Sequence, residues 1–388
     1  MSRYKISIYS IISYALFFAV FKPYFLPDAL RQTLKILILA GTFLFLLFNS
    51  NKKMLLNCSL MFCSCVILSG VVAGIQGNYG FRDILDSLLY ALTFYDLYTF
   101  SALCKRKDYS DRLIDCMYSM NLIYCILTVI SVAMVGVENN SNNVAYLFGN
   151  KFTSAYLFIL LIALYGASHD MNNKRNEITL LMIFVFSILF SFYIGCATAT
   201  VTLVVLFAIY WMPEKIKQQA IKERYVVIAL ILSALVVIWI EAILKNDFIN
   251  RLITEYFGKS YTVTGRLEIY GSYLAKVIMG SFWVGYGYSN SIMMNLTGVY
   301  ANVQNGLLEM FVSFGFLGVV VLVFTVYYCF KHSEKGSRTF YLSLVIYGMI
   351  IAAIFEVSLN WFFLLGLCII RWNSNNDGFK FRRIKIKI

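Results

Sequence analysis

Long apolar runs alternate with short polar, charged clusters along nearly the whole chain. The runs fall at residues 6–22, 34–48, 54–75, 84–104, 113–137 and 152–168, then at 177–194, 197–212, 225–244, 306–330, 339–355 and 357–371. Each approaches the ~20 apolar residues that carry a helix across a hydrocarbon core, so the pattern predicts about twelve membrane spans. Gly195-Cys196-Ala197-Thr198 parts the seventh run from the eighth and predicts a helical hairpin there. Pro23, Pro27 and Pro213 stand at or near run ends, so no proline kink is expected within a span. The first run opens on Arg3 and Lys5 like a signal sequence. It lacks a small-residue cleavage site before Lys22-Pro23 and is read as a retained helix.

Composition sharpens this. Hydrophobic residues make up 60% of the 388 and charged residues 14%, against about 25% charged in soluble domains. A soluble enzyme, a disordered chain and a secreted disulfide scaffold are excluded. The expected fold class is all-α: a polytopic transmembrane helical bundle, forming a single integral membrane domain over 1–388. The net charge of +13 reads as an orientation signal. With alternate loops on opposite sides, 23 of the 33 Lys and Arg share the side of the two termini, which places both termini in the cytoplasm. The basic tail 372–388 then anchors on anionic membrane lipid, and no nucleic-acid partner is needed. The nine cysteines lie almost entirely within the apolar runs, where buried thiols act as small filler. Their odd number and spacing suggest neither a disulfide framework nor a metal site.

One connection differs from the rest. Residues 245–305 form an outer loop of about sixty residues, and long loops in compact folds are usually functional or disordered. This one is rich in Tyr, Gly and Asn, keeps helical apolar spacing and has no proline. It predicts an ordered, interfacial segment with short amphipathic helices at Asn246 to Phe257 and Gly265 to Met279. Arg266 falls in the first turn of the second helix, where a cation opposes the helix dipole. Two readings follow: an anionic ligand shared with the free N–H groups, or an ion pair with Glu268 or Glu255. Gly285-Tyr286-Gly287-Tyr288 permits a tight turn, and its aromatics fit either sugar stacking or the headgroup level. Asn305 and Glu309, four apart, share one face where the tenth span begins. A carboxylate just inside a span suggests function; the plainer readings are a Glu that reaches out to water or pairs with a cation such as Arg266.

These pieces, in this order, resemble the O-antigen ligase and O-antigen or capsule polymerase (Wzy-type) superfamily of bacterial inner-membrane glycosyltransferases. Gly265-Arg266 takes the place of that family's G-R element, Gly285-Tyr286-Gly287 of its G-x-G turn, and Gln304-Asn305 through Gly315 and Gly318 of its H-N-x-x-L-x-x-x-x-x-x-G-x-x-G-like stretch. Phe148-Gly149-Asn150-Lys151 looks like its G-N-x-N region. The resemblance implies transfer of a glycan from an undecaprenyl-pyrophosphate-linked oligosaccharide to a sugar hydroxyl on the periplasmic face, without cofactor or metal. It assigns catalysis to Arg266, Glu309, Gln304 and Asn305, and substrate binding to Glu268, Gly285, Tyr286, Gly287, Tyr288, Arg82 and Lys151, the last two as possible second phosphate cations. Within it, Arg266 stabilises the departing charge and Glu309, ahead of Glu268, is the general base.

The departures matter. Gln304 stands where the family has histidine, and the two histidines of this chain, His169 and His332, fall in predicted inner loops. That favours a polysaccharide repeat-unit polymerase, with a chain-length regulator protein as a possible partner, over a ligase that moves polymer to lipid A core. A third reading, a lipid-linked oligosaccharide flippase, calls for internal repeats and deep charges. No repeat is visible, and Asp96, Asp115 and Glu241 are read as lying near span ends.

Overall fold

A computed structural model describes residues 7–75, 81–137, 146–244, 266–288 and 292–373, leaving aside the side chains of 81–83, 240–244, Leu267 and Ile292. Among the described residues the fold is helical, with one isolated bridge between Tyr146 and Gly149 and no strand. The first part of the chain forms α1 (Ile8–Val20), α2 (Asp28–Asn49), α3 (Lys52–Leu55), α4 (Ser59–Ile75), α5 (Phe81–Arg106) and α6 (Ser110–Val135). There follow α7 (Lys151–Ser168), α8 (Lys174–Tyr193), α9 (Ala197–Trp211), α10 (Glu214–Ala220) and α11 (Glu223–Leu244). The last long helices are Gly306–Lys331, Ser337–Ala353 and Trp361–Trp372. Each apolar run of the sequence overlaps one of these helices, the run at 54–75 being divided between α3 and α4. The hairpin between α8 and α9 forms as expected: Gly195 turns the chain at φ +67° and the two helices pack against each other.

Among the described residues, five helices are long and apolar enough to cross a membrane: α2, α6, α7, α8 and Gly306–Lys331. Where the apolar side chains point is equally telling. On α8, Ile178, Met182, Val185, Leu189 and Phe192 are all exposed, and their spacing makes one continuous stripe. Ile228, Ile231, Leu232, Leu235 and Ile238 do the same on α11. Apolar stripes of this extent facing outward fit lipid rather than water. The chain is therefore an all-helical membrane protein. At the centre, α7 is buried on all sides from Ser154 to Ala167 and packs on α6, α8 and Ser337–Ala353. Many core hydroxyls donate back to the carbonyl one turn earlier, as Thr93 does to Leu89 (2.6 Å) and Thr128 to Tyr124 (2.7 Å), which satisfies these buried groups within their own helix.

The bundle has two polar ends. At one, Lys105 pairs with Glu334 (2.7 Å) and Arg338 with Asp111. At the other, the Tyr24 amide donates to the Leu147 carbonyl (2.6 Å) and Arg266 meets Phe355 and Glu356. The described part of the long loop caps this second end. The expected helix at 246–257 lies outside the described residues, as do Gly265 and Glu255. The second appears as a turn of α-helix at Arg266–Glu268, a π turn at Ile269–Tyr273 and a further α-helix at Leu274–Gly280. Ile269, Leu274, Val277, Tyr286, Met293 and Val303 form a small apolar core of their own on Val312, so the described part of the loop is ordered by burial, as expected.

One expectation needs correction. Asp96 is not near a helix end. It sits midway along α5, fully buried, and neither carboxylate oxygen meets a hydrogen-bond partner among the described residues. A break without proline, not foreseen from the sequence, also appears: the helix Gly306–Lys331 is broken at Gly315 (φ 66°, ψ −173°).

Candidate functional site

The break at Gly315 is what the G-x-G turn is for. Residues 282–287 lie alongside the opened helix and supply its missing hydrogen bonds. Tyr286 N–H donates to Val312 O (3.0 Å), Gly287 N–H to Ser313 O (2.8 Å) and Phe316 N–H to Phe282 O (2.8 Å). Ser69 on α4 locks the join, donating to Ser313 O (2.6 Å) while accepting from Gly287 N–H (2.8 Å). Backbone approach this close requires glycine. A Cβ on Gly285 would lie 2.5 Å from Gly315 N and Ser313 O, and Gly285 itself has φ +75°. Irregular backbone inside a membrane helix is tolerated where other protein groups satisfy it. Gly285 and Gly287 thus join the loop to the opened helix. Tyr286 belongs to the loop core, its hydroxyl donating to Val277 O (2.9 Å). Tyr288 faces the polar end, stacked on Tyr90 with ring centroids 4.2 Å apart.

Glu309 stands in the first turn after the cap of the same helix. Asn305 is that N-cap: its Oδ1 accepts from Leu308 N–H (3.1 Å), while its Nδ2 donates to Ser233 O on α11 (2.9 Å) and to Ile354 O (3.5 Å). Asn305 is completely buried. Expected among the catalytic residues, it has its side chain taken up in tying helices together. Gln304 sits in the left-handed region (φ 56°), an uncommon conformation for such a residue that is often found at functional sites. Its carbonyl accepts from the Tyr270 hydroxyl (3.1 Å). This forced turn presents Glu309, whose Oε2 accepts from Val303 N–H (2.9 Å). Its Oε1 makes no hydrogen bond, and the carboxylate no ion pair, with a described residue. A carboxylate is favourable here because the helix N-terminus carries partial positive charge. The residue is half-buried.

Arg266 chooses a partner that its neighbours in sequence do not reveal. Its Nη2 donates to Phe355 O (2.5 Å) and meets Glu356 Oε1 (3.3 Å), in the turn between Ser337–Ala353 and Trp361–Trp372. It therefore pairs with neither Glu309 nor Glu268. Glu268 accepts from the Tyr300 hydroxyl instead. With the Arg266 side chain 6% exposed and Glu356 21%, the pair is shielded and fastens the loop to the bundle. Burial lowers the Arg266 pKa, and Glu356 works against that shift. Removing one partner leaves the other charge badly solvated. Arg266→Ala is expected to destabilise by about 1.5–3 kcal/mol, read as a lower thermal midpoint in detergent, and Arg266→Ala with Glu356→Ala is expected to recover part of it. Of the two second-cation candidates, Lys151 is buried in the first turn of α7, and the side chain of Arg82 lies outside those described. His169 and His332 sit at the opposite end of the bundle, closing α7 and Gly306–Lys331. The latter helix has 26 residues, so at 1.5 Å per residue His332 is roughly 35 Å from Glu309.

Several residues at this end escape a reading of the sequence alone. Tyr288 lies within electrostatic reach of Asp86 and Tyr24 as well as Glu309. Tyr90 also meets Trp361, at 4.5 Å between ring centroids. Asp86 and Glu356 carried a signal, being carboxylates at the borders of apolar runs, but their partners come from distant helices. No protein-family model matches the chain, and no curated protein does. Fold and site together define an all-helical membrane protein with a carboxylate and an aromatic lining at one end of its bundle.

Proposed function

We propose that this protein is a polysaccharide repeat-unit polymerase with its site on the outer face of a bacterial plasma membrane, crossed about twelve times with both termini inside. The observation that carries the reading is Glu309. It is held by one backbone N–H at a helix N-terminus, makes no hydrogen bond through its other oxygen with a described residue, and lies within electrostatic reach of Tyr288. That suits a general base which must reach a sugar hydroxyl. The hydroxyl oxygen of the acceptor repeat unit attacks the anomeric carbon of the lipid-linked chain. Its proton passes to Glu309, the bond from that carbon to the phosphate oxygen breaks, and undecaprenyl pyrophosphate leaves with the electron pair. Tyr288 and Trp361 offer faces for sugar rings, while Arg266 keeps the loop in place.

Deleting the gene is expected to leave surface glycan of a single repeat unit, seen on a gel of the extracted polysaccharide. A ligase or a flippase gives no surface glycan on deletion. Asp96 supports the transport reading, because an acid deep in a bundle suits a moving ion or proton, and the same gel separates the two. Arg266→Ala carried on a plasmid, at matched protein level, is expected to shorten the polymer. Full-length polymer from that variant removes Arg266 from the site.

A further inference from the structure

Three cations converge beside the described site, and none was assigned a role there. Arg31 and Lys35 lie four apart near the start of α2 and share one face. Lys22, in the connection before α2, lies within electrostatic range of both Arg31 and Lys35. Lys35 is 8% exposed. Its ammonium stands 5.2 Å from the centre of the Trp361 ring and makes no hydrogen bond with a described residue. Arg31 lies over the Tyr24 ring at 4.3 Å and pairs with the exposed Asp28, but its buried Nε has no partner among the described residues. Lys22 donates to Gln32 Oε1 (3.2 Å), and burial together with Arg31 holds its ammonium below the usual lysine range. Asp86 is the acid within reach of both lysines.

Such an arrangement is unfavourable in isolation. Burying an ammonium without an anionic partner is costly, and like charges beside it add repulsion. One or two bound phosphate groups would supply what the cluster lacks: negative charge and several strong acceptors for Lys35, Lys22 and the unpartnered Arg31 Nε. The partial positive charge at the start of α2 acts in the same sense. The cluster sits at an end of a membrane bundle, where a lipid tail can lie along the helices while its headgroup reaches the cations. It lies near the described site, since Asp86 and Glu309 are both within electrostatic reach of Tyr288.

We infer that Lys22, Arg31 and Lys35 form a binding site for the phosphate groups of a lipid phosphate ester. That this ester is the polyprenyl diphosphate of the glycan donor rests on the polymerase reading above. The test is direct binding, which needs no turnover. Full-length protein in nanodiscs is titrated with a fluorescent polyprenyl diphosphate, and separately with a fluorescent phosphatidylglycerol. Lys35→Met keeps the buried stem and removes the charge; Arg31→Gln removes the second cation. Lys276→Met, at an exposed lysine of the same end, is the control, and thermal midpoints verify folding. Either cluster variant is expected to weaken binding at least tenfold in one arm, with the control within twofold of the parent. Loss in the diphosphate arm identifies the carrier lipid, and loss in the phosphatidylglycerol arm identifies a membrane headgroup. Unchanged affinity in both arms, for folded Lys35→Met and Arg31→Gln, overturns the site. Glu309→Gln is expected to bind normally, so a failed polymerase reading and a failed phosphate site give different results.

Discussion

Glu309→Gln is expected to slow glycan transfer by ~10²–10⁴-fold, the usual worth of a positioned general base, while leaving the protein folded. The amide is the right size for the site, and its oxygen can still accept from Val303 N–H, the bond that Glu309 Oε2 makes at 2.9 Å. What it loses is the capacity to take a proton. Removing the charge from the helix start costs about 0.3–1 kcal/mol, far less than the ~2.7–5.5 kcal/mol that such a fall in rate represents. Rate and stability therefore separate cleanly. The measurement is chain elongation from lipid-linked donor by purified protein, beside its thermal midpoint. A base that acts only in the chemical step lowers kcat and leaves KM for the donor nearly unchanged. Elongation at the parent rate removes Glu309 as the base. Glu309→Asp, one methylene shorter, retains a base in the wrong place and is expected to fall between the two.

The apolar pattern placed the helices well because each run had only to be long and bounded. Its period says which residues share a helix but not which helices are neighbours. Arg266 shows the consequence. The nearest described acid in sequence is Glu268, yet Arg266 meets Glu356, 90 residues away, because the loop folds back over the turn between the last two long helices. Lys35 shows another. In sequence it is a lone charge at the edge of an apolar run, and only the packing of α2 beside Trp361 and Asp86 turns it into one of three converging cations. The histidines were legible in the negative sense, since both lie at the opposite end from Glu309. The role of Asn305 was half legible: its type and position before a helix fit a cap, but its bonds to α11 and to Ile354 depend on tertiary structure. The break at Gly315 left little trace in hydropathy, because Phe314-Gly315-Phe316-Leu317-Gly318 reads as continuous apolar chain and glycine is common in membrane helices.

That break makes the same small substitution act with opposite sign at two glycines. Gly315→Ala is expected to destabilise the protein by about 2–6 kcal/mol, adding backbone strain to overpacking. At φ 66° and ψ −173° the position falls in a region that essentially only glycine occupies. The added methyl would also stand 2.4 Å from the Trp283 carbonyl carbon and 2.5 Å from Val284 N. Those are backbone atoms, so no side chain can rotate away; the loop 282–287 must move off the helix. Tyr286 and Gly287 then lose their carbonyl partners on Val312 and Ser313, and Tyr288 no longer stacks on Tyr90. Elongation is expected to fall with stability, although Gly315 touches no reacting group. Gly41, inside α2, has nothing within 4 Å of an added Cβ, and Gly41→Ala is expected to raise stability slightly, by ~0.5–1 kcal/mol, through helix propensity. Thermal midpoints of both variants, measured by size-exclusion chromatography after heating in detergent, read the contrast. A Gly315→Ala protein as stable as Gly41→Ala would mean that the loop and the broken helix are not joined as described, and Glu309 would lose the frame that presents it.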